Sequence, residues 1–347
     1  LRAGGAERVM SFIAQNVDKK KFDTTLIIAG YNKKASYNIE GLKLVFFNKD
    51  RVLHAFWPAF KYLQKNKPDI VISAISHVNT LMAFESLWFR KIKFIGREVN
   101  VLSVLSEVQV SNKNLLINFL FSIKRSYKLM DIILCQSKDM AVDMINNFDV
   151  PVDKIRIINN PISDSFELKE KKVDNSVLKF ITVGSLVKRK GHNRLLKALS
   201  KFSKPYEYII IGDGKDSDEV FELADKLELT NKIKHVPFTK NVSDYLKEAD
   251  VFLQGSYVEG FPNALLESCA VGTPVLAFNA LGGINEIVDN NVNGFVAEDE
   301  TDFLDKLDLI LLKKWNPEDV RNSVIKKYNK NKILKDYEDL FISLIKK

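Results

Sequence analysis

Cysteine is scarce in this chain of 347 residues: only Cys135 and Cys269 occur, both inside apolar segments. That excludes a disulfide framework and Cys-based zinc spacing, and buried reduced thiols are expected. No stretch of eighteen apolar residues is present, so no membrane-spanning helix is expected. With an apolar share of 46%, this argues for a soluble globular chain. No signal peptide is visible, and a cytoplasmic protein is the expectation. No Gly-x-Gly-x-x-Gly follows a strand, which speaks against a dinucleotide-dependent oxidoreductase. Asp216-x-Asp218 falls at a helix start and reads as capping, so no metal site is expected. No recognition motif or aromatic-interleaved basic stripe speaks for nucleic acid.

The length suffices for two domains with full cores. Residues 1–160 hold 24 Lys and Arg against 14 Asp and Glu, a balance of +10, whereas the rest holds 28 against 30. A basic first half beside a near-neutral second half implies separate duties. Two readings stand. The first domain faces an anionic membrane or a phosphate-bearing molecule, or the lysines merely follow composition and sit on solvated loops, as at Lys19-Lys20-Lys21.

Strand and helix patterns alternate throughout, which indicates α/β architecture with parallel sheets wrapped by helices. In the first half, strands are expected at 24–29, 42–46, 70–74, 93–95, 132–135 and 155–158, with helices at 6–16, 51–65 and 80–88. A second set follows, with strands at 179–183, 206–211, 233–236, 251–253 and 275–277. Short elements are expected at 284–288 and 294–296. Residues 112–130 are apolar with a basic end; a helix packed on the first sheet is the base-rate reading, and a membrane-surface helix the other. The domain boundaries read as 1–162, a polar linker at 163–177, and 178–330. Residues 331–347 carry apolar positions at helical spacing, Ile333, Leu334, Tyr337, Leu340, Phe341 and Leu344. A glycine pair, Gly4-Gly5, precedes the first helix with no strand before it. The first strand of a doubly wound domain is therefore expected to be missing at the N-terminus.

Residues 257–267 read Tyr-Val-Glu-Gly-Phe-Pro-Asn-Ala-Leu-Leu-Glu. They follow an apolar strand and lead through a tight turn into a helix starting near Asn263. A strand, a turn and a helix N-terminus make a ready anion or ligand site. Glu259 stands just before the free N–H groups, and Glu267 about one turn inside the helix. Lys188-Arg189-Lys190 falls between a strand and the helix near His192, at the C-terminal edge of a parallel sheet where ligands bind.

Glu259-x7-Glu267 with the loop Gly282-Gly283-Ile284-Asn285-Glu286 resembles the donor-site signature of the retaining glycosyltransferases of family 4. Gly4-Gly5-Ala6-Glu7-Arg8 resembles the family's N-terminal glycine loop. Val183-Gly184-Ser185-Leu186 with Lys190-Gly191 resembles its strand-and-lysine motif, with Ser185 where the family usually carries Arg. Ile211-Gly212-Asp213-Gly214 and Asn159-Asn160-Pro161-Ile162 resemble two further stretches. The resemblance covers essentially the whole chain and is stronger in the second half.

It implies a GT-B fold: two Rossmann-like parallel-sheet domains facing a cleft, with the last helix crossing back to the first domain. It implies a retaining, metal-independent hexosyltransferase using a nucleotide-sugar, a UDP-sugar by preference. The acceptor would be a glycan or a lipid-linked molecule of bacterial surface polysaccharide synthesis. No cofactor is implied, since the nucleotide-sugar is a substrate. The enzyme would be cytoplasmic, with peripheral contact on the inner face of the plasma membrane. Donor-binding residues would be Gly4, Gly5, Arg189, Lys190, Pro237, Phe238, Glu259, Gly260, Phe261, Asn263, Ala264 and Glu267. Glu267 would take the ribose hydroxyls, Glu259 those of the transferred sugar, and Pro237-Phe238 the base. Catalytic candidates are Glu259, Lys190 and His77. Acceptor candidates are His77, Arg97 and Glu98, the last two standing where the family often carries His. The alternatives are a nucleotide-sugar epimerase of the same fold, disfavoured by only four histidines, and a sugar-nucleotide-binding pseudoenzyme.

Overall fold

The computed structural model describes residues 5–31, 41–109, 123–170 and 177–346. The chain divides into two compact units. The first comprises residues 1–99, 110–161 and 331–347, and the second comprises 100–109 and 162–330.

In the first unit, helix α1 (Gly5–Asn16) precedes a parallel pair, β1 (Thr25–Ile28) and β2 (Lys43–Phe46). A 3₁₀ turn (Val52–Ala55) then runs into α2 (Phe56–Asn66). Pro58 is accepted there because the first helical turn needs no N–H from it. Strands β3 (Ile70–Ala74), β4 (Lys93–Arg97), β5 and β6 form a parallel sheet in chain order. Strands β5 and β6 are Ile132–Cys135 and Ile155–Ile157. Helix α3 (Ser76–Glu85) joins β3 to β4. It starts four residues before the expected position, directly behind Ile75, whose φ of +78° is strained for a β-branched residue. Ile123, Tyr127 in a 3₁₀ turn (Tyr127–Leu129) and Met130 after it are fully buried; the rest of the expected helix falls within 110–122, outside the described residues.

The final helix completes this unit's core. Ile333, Leu334, Tyr337, Leu340 and Phe341 pack with Val9, Ile13, Ile95, Ile132, Leu134 and Ile158.

Helix α4 (Leu102–Gln109) belongs to the second unit, and α5 (Lys138–Asn146) to the first. The second unit's six strands are all parallel, in the order β12-β11-β10-β7-β8-β9. Their ranges are β7 Leu178–Val183, β8 Tyr206–Ile211, β9 Ile233–Val236, β10 Val251–Gln254, β11 Val275–Phe278 and β12 Gly294–Ala297. The near-continuous apolar runs reflect burial on both faces. Phe252, Val275, Ala277, Ile209 and Ile211 face one core with Leu265, Leu266, Val320 and Val324. Their alternating neighbours Val251, Leu253, Leu276, Phe278, Tyr208 and Ile210 face another with Leu195, Leu199, Phe303 and Leu307. The helices supplying these cores are α6 (His192–Ser200), α7 (Ser217–Lys226), α8 (Val242–Glu248), α9 (Asn263–Ala270), α11 (Glu300–Leu312) and α12 (Pro317–Tyr328). The segment 284–287 is a short helix, α10 (Ile284–Ile287), and α13 (Lys330–Ile345) is last.

Residues 163–170 depart from the linker expectation. Phe166 is buried in the second unit's core, and the Lys169 N–H donates to the Val271 carbonyl at 2.9 Å. The Lys169 ammonium bonds Thr273 Oγ1 at 3.0 Å. The segment reads as polar in sequence, but its few apolar and basic groups lace it onto helix and loop carbonyls; 171–176 lie outside the described residues.

Candidate active site

The strand order of the second unit reverses between β7 and β10. Chains leaving these neighbouring strands turn to opposite sides, which opens a crevice at their carboxyl ends. The two loops that border it are 184–191 after β7 and 255–262 after β10, and each carries one of the charged residues singled out above.

Lys190 and Glu259 meet there, with Nζ 2.5 Å from Oε1. Glu259 is 4% exposed. Its Oε1 also accepts from Gln254 Nε2 at 2.8 Å and from Ser256 Oγ at 2.5 Å. Burial alone would raise the Glu259 carboxyl, but the charges of Lys190 and Arg189 hold it below the usual carboxylate range. Burial pushes the Lys190 ammonium down from its ordinary value, with Glu259 opposing. The result is an ionised carboxylate and an ammonium kept at the loop tips by a small hydrogen-bonded cluster.

Backbone contacts hold the two loops together. The Tyr257 N–H donates to the Arg189 carbonyl at 2.8 Å. Arg194 Nε donates to the Gly255 carbonyl at 2.5 Å, and its Nη2 reaches the Ser256 carbonyl. The same guanidinium lies 4.4 Å over the Tyr257 ring and 4.2 Å over Phe278. Gly191 has φ of +61°, and a Cβ there would overlap the Gly255 carbonyl, so glycine is required for this approach. His192 is buried, with Nε2 3.2 Å from the Ser185 carbonyl; burial pushes its pKa down to about 4, so the ring is neutral.

A third loop braces Glu259 from the other side. Its N–H donates to the Leu281 carbonyl at 2.9 Å. Gly282 and Gly283 follow, both at positive φ, and lead into α10. Helix α9 begins at Asn263 behind Pro262, so the N–H groups of Asn263 and Ala264 stand at its positive end while Pro262 offers none. Gly260 and Phe261 are buried within the turn. Glu267 is 7% exposed, in the second turn of α9. Pro237 and Phe238 follow β9 at its carboxyl end, and both are exposed. Ahead of them, His235 Nε2 lies 2.8 Å from the Gly212 carbonyl, tying β9 to the loop after β8.

Gln254, Ser256 and Arg194 were not anticipated. A polar Gln closing an otherwise apolar strand was the available signal for the first. Asp216 also differs from expectation. Its Oδ2 accepts from the Lys188 N–H at 2.7 Å rather than capping α7, and thereby supports the 188–190 turn.

In the first unit, His77 lies exposed in the first turn of α3, its pKa lowered by partial desolvation. Arg97 and Glu98 do not stand as acceptor groups. They are 1% and 0% exposed and serve the interior. Arg97 Nη2 bonds Asn160 Oδ1 at 2.6 Å, and its Nε lies 3.3 Å from Tyr337 OH. Glu98 accepts from Asn79 at 2.9 Å, Ser76 at 3.2 Å and Tyr127. Burial pushes its carboxyl up to about 7 against those bonds. Gly5 opens α1, and Gly4 lies outside the described residues. Among the described residues no group of three or more His, Cys, Asp or Glu side chains is arranged to hold a metal ion.

Comparison with known proteins bears on the whole chain. The family model described as glycosyl transferases group 1 matches residues 164–331, and that described as Glycosyltransferase Family 4 matches residues 3–166. The chain is 27% identical over 312 residues to the N-acetylgalactosamine-N,N'-diacetylbacillosaminyl-diphospho-undecaprenol 4-alpha-N-acetylgalactosaminyltransferase of Campylobacter jejuni, spanning 86% of this chain and 84% of that protein. Among solved structures, Anabaena Alr3699/HepE in complex with UDP superposes with a TM-score of 0.79 at 15% identity, covering 99% of this chain and 97% of the other. The lipopolysaccharide outer core galactosyltransferase WaaB in its apo form does so with a TM-score of 0.77 at 16% identity, covering 98% and 96%. Two parallel-sheet Rossmann-like units with a charged pair at the switch point of the second are thus accompanied by family matches running from residue 3 to residue 331, and the chain belongs to the group 1 glycosyltransferases of GT-B fold.

Proposed function

We propose that this glycosyltransferase moves a hexosyl group from a nucleotide-diphosphate sugar, a UDP-sugar by preference, to a glycan or lipid-linked acceptor of bacterial surface polysaccharide synthesis. Transfer retains configuration, requires no metal ion and takes place at the cytoplasmic face of the membrane. The observation that carries this reading is the buried Lys190–Glu259 pair at the crevice between β7 and β10. The acceptor class is supported by the Campylobacter relative, whose name specifies a diphospho-undecaprenol substrate, and the donor class by the Anabaena structures with UDP and glucose.

Transfer breaks the bond from the anomeric carbon to the phosphate oxygen and forms one to the acceptor oxygen on the same face. The acceptor's proton passes to the leaving phosphate, so no separate base is needed. Charge grows on the diphosphate as it departs. Lys190, Arg189 and the N–H groups of Asn263 and Ala264 are the cationic and dipolar groups that stabilise it. Glu259 neutralises Lys190 across the two loops. With donor bound, the ammonium turns to phosphate and the carboxylate to the sugar hydroxyls, while Glu267 takes the ribose. His77, exposed and neutral, positions the acceptor hydroxyl.

A thermal-shift screen of nucleoside diphosphates and their sugars tests the donor class, since a ligand stabilises the folded state by mass action. UDP and one UDP-sugar are expected to raise Tm. Glu267→Gln should weaken that nucleotide by about 1–3 kcal/mol, the scale of hydrogen bonds to a charged group. An unchanged Kd removes Glu267 from the ribose. Transfer is expected to persist in EDTA. Loss of activity that Mn²⁺ restores would instead assign the diphosphate charge to a metal.

A further inference from the structure

The first unit carries an apolar face that its own core does not use. Leu53 is 80% exposed, Trp57 66%, Trp88 59%, Leu87 50% and Phe84 44%. They come from the 3₁₀ turn at 52–55, from α2, and from α3 with the turn after it. Their undersides are joined. Trp57 packs edge-on to Phe56 and Phe60 at 5.4 and 5.9 Å between ring centroids. Trp88 packs on the same two rings at 6.2 and 6.1 Å. The two indoles are therefore held on one aromatic base and presented outward. Exposed apolar surface organised in this way marks an interaction site.

The charge around it selects the partner. Residues 50–69 contain Arg51, Lys61, Lys65 and Lys67 against Asp50 and Asp69, a net positive balance that Arg90 and Lys91 increase. All four cations are exposed, as are Arg90 and Lys91 beyond Trp88. Glu85, the acid nearest in sequence on α3, is turned inward and fully buried. A second copy of the chain docked on the same face would bring cations against cations, which a self-complementary interface must avoid. Exposed tryptophans framed by Lys and Arg match the headgroup layer of an anionic bilayer. There the indole sits between the apolar and wet zones, and lipid phosphates meet the cations.

We propose that the face built from Leu53, Trp57, Phe84, Leu87 and Trp88, rimmed by Arg51, Lys61, Arg90 and Lys91, docks on an anionic phospholipid surface. The proposal rests on the reading of the enzyme as acting at a membrane and gives that reading a place in the fold. It is independent of the Lys190–Glu259 pair, which lies in the second unit.

The test uses the full chain with vesicles of phosphatidylcholine, with and without phosphatidylglycerol. Trp57, Trp88 and Trp315 are the chain's three tryptophans. Emission should shift to the blue on vesicles containing phosphatidylglycerol and be quenched by lipids brominated near the headgroup. Sedimentation with these vesicles should fall as salt screens the rim. Trp57→Ala with Trp88→Ala should lower vesicle partition by about tenfold or more, because binding follows buried apolar area. Arg90→Glu with Lys91→Glu should lower it on anionic vesicles while leaving the apolar face intact. Circular dichroism and Tm should be unchanged in both variants, which reports the folding of the first unit. Equal or negligible binding to both vesicle types, with unshifted emission, overturns the proposal. So does self-association that shields the indoles without lipid. Transfer to a soluble acceptor by an enzyme that ignores vesicles would remove the docking face and leave the transfer reading standing.

Discussion

Lys190→Ala is expected to lower kcat/KM by about 10²–10³, the cost of removing one preorganised charge-stabilising group from a transition state. The same substitution should destabilise the donor-free protein, because it leaves Glu259 buried without its cation. Breaking a buried pair in this way costs about 3–5 kcal/mol, and the 18% exposure of the Lys190 side chain places the effect toward the lower end. The pH dependence carries the signature. In the wild type the Glu259 pKa lies below its unfolded value, so its contribution is present above the carboxylate range and is lost as pH falls through the folded pKa. Without Lys190, burial raises that pKa, and stability is lost as pH rises through the carboxylate range. The Tm deficit of the variant should therefore widen from acidic to neutral pH. Adding Glu259→Gln should close most of the deficit and restore no activity. Near wild-type turnover in Lys190→Ala would remove the ammonium from the reaction.

Gly282→Ala should be comparably damaging without touching a charged group. A Cβ at Gly282 would overlap the Glu259 carbonyl, and φ there is +108°. The backbone must move, and what moves is the loop that holds Glu259. Strain of this kind costs about 1–3 kcal/mol before the overlap is counted. A fall in Tm of about 5–10 °C is expected, at the 2–4 °C per kcal/mol usual for units of this size. Loss of most transfer activity should accompany it. Gly30→Ala, where a Cβ meets nothing within 4 Å, serves as the control and should leave both quantities unchanged. Full activity in Gly282→Ala would mean that Glu259 does not depend on this brace.

The sheets were legible because their strands are short runs of Val, Ile, Leu and Phe separated by helical periods, and burial on both faces demands that pattern. The loops at the switch point of the second unit were legible for a different reason. Glycines, a proline and paired charges at strand ends are rare enough to stand out. What could not be read was the direction in which a residue just past a strand end points. Arg97 closes β4 and Glu98 follows it, and both turn inward, where Arg97 bonds Asn160 and Tyr337 and Glu98 accepts from Asn79 and Tyr127. Those partners come from distant parts of the chain, so no local pattern announces them. Arg194 was hidden in the same way. On helical spacing it is a surface residue, yet it reaches the carbonyls of 255 and 256 because α6 happens to start beside them. Residues 163–170 misled in the opposite sense: a polar run was read as loose chain, although one phenylalanine and one lysine suffice to anchor it.

The packing of α13 into the first unit sets an order of events during synthesis. Residues up to Pro161 emerge from the ribosome carrying β4, β5 and α1, but the apolar side of Ile95, Ile132 and Leu134 still lacks Tyr337, Leu340 and Phe341. The whole second unit must be translated in between. At about 5–20 residues per second, that interval is on the order of ten to forty seconds. The second unit, contiguous apart from α4, has nearly all of its residues in hand first. The nascent first unit meanwhile waits with an unsealed hydrophobic surface, which makes it the natural client for a chaperone and the part most exposed to aggregation if translation stalls.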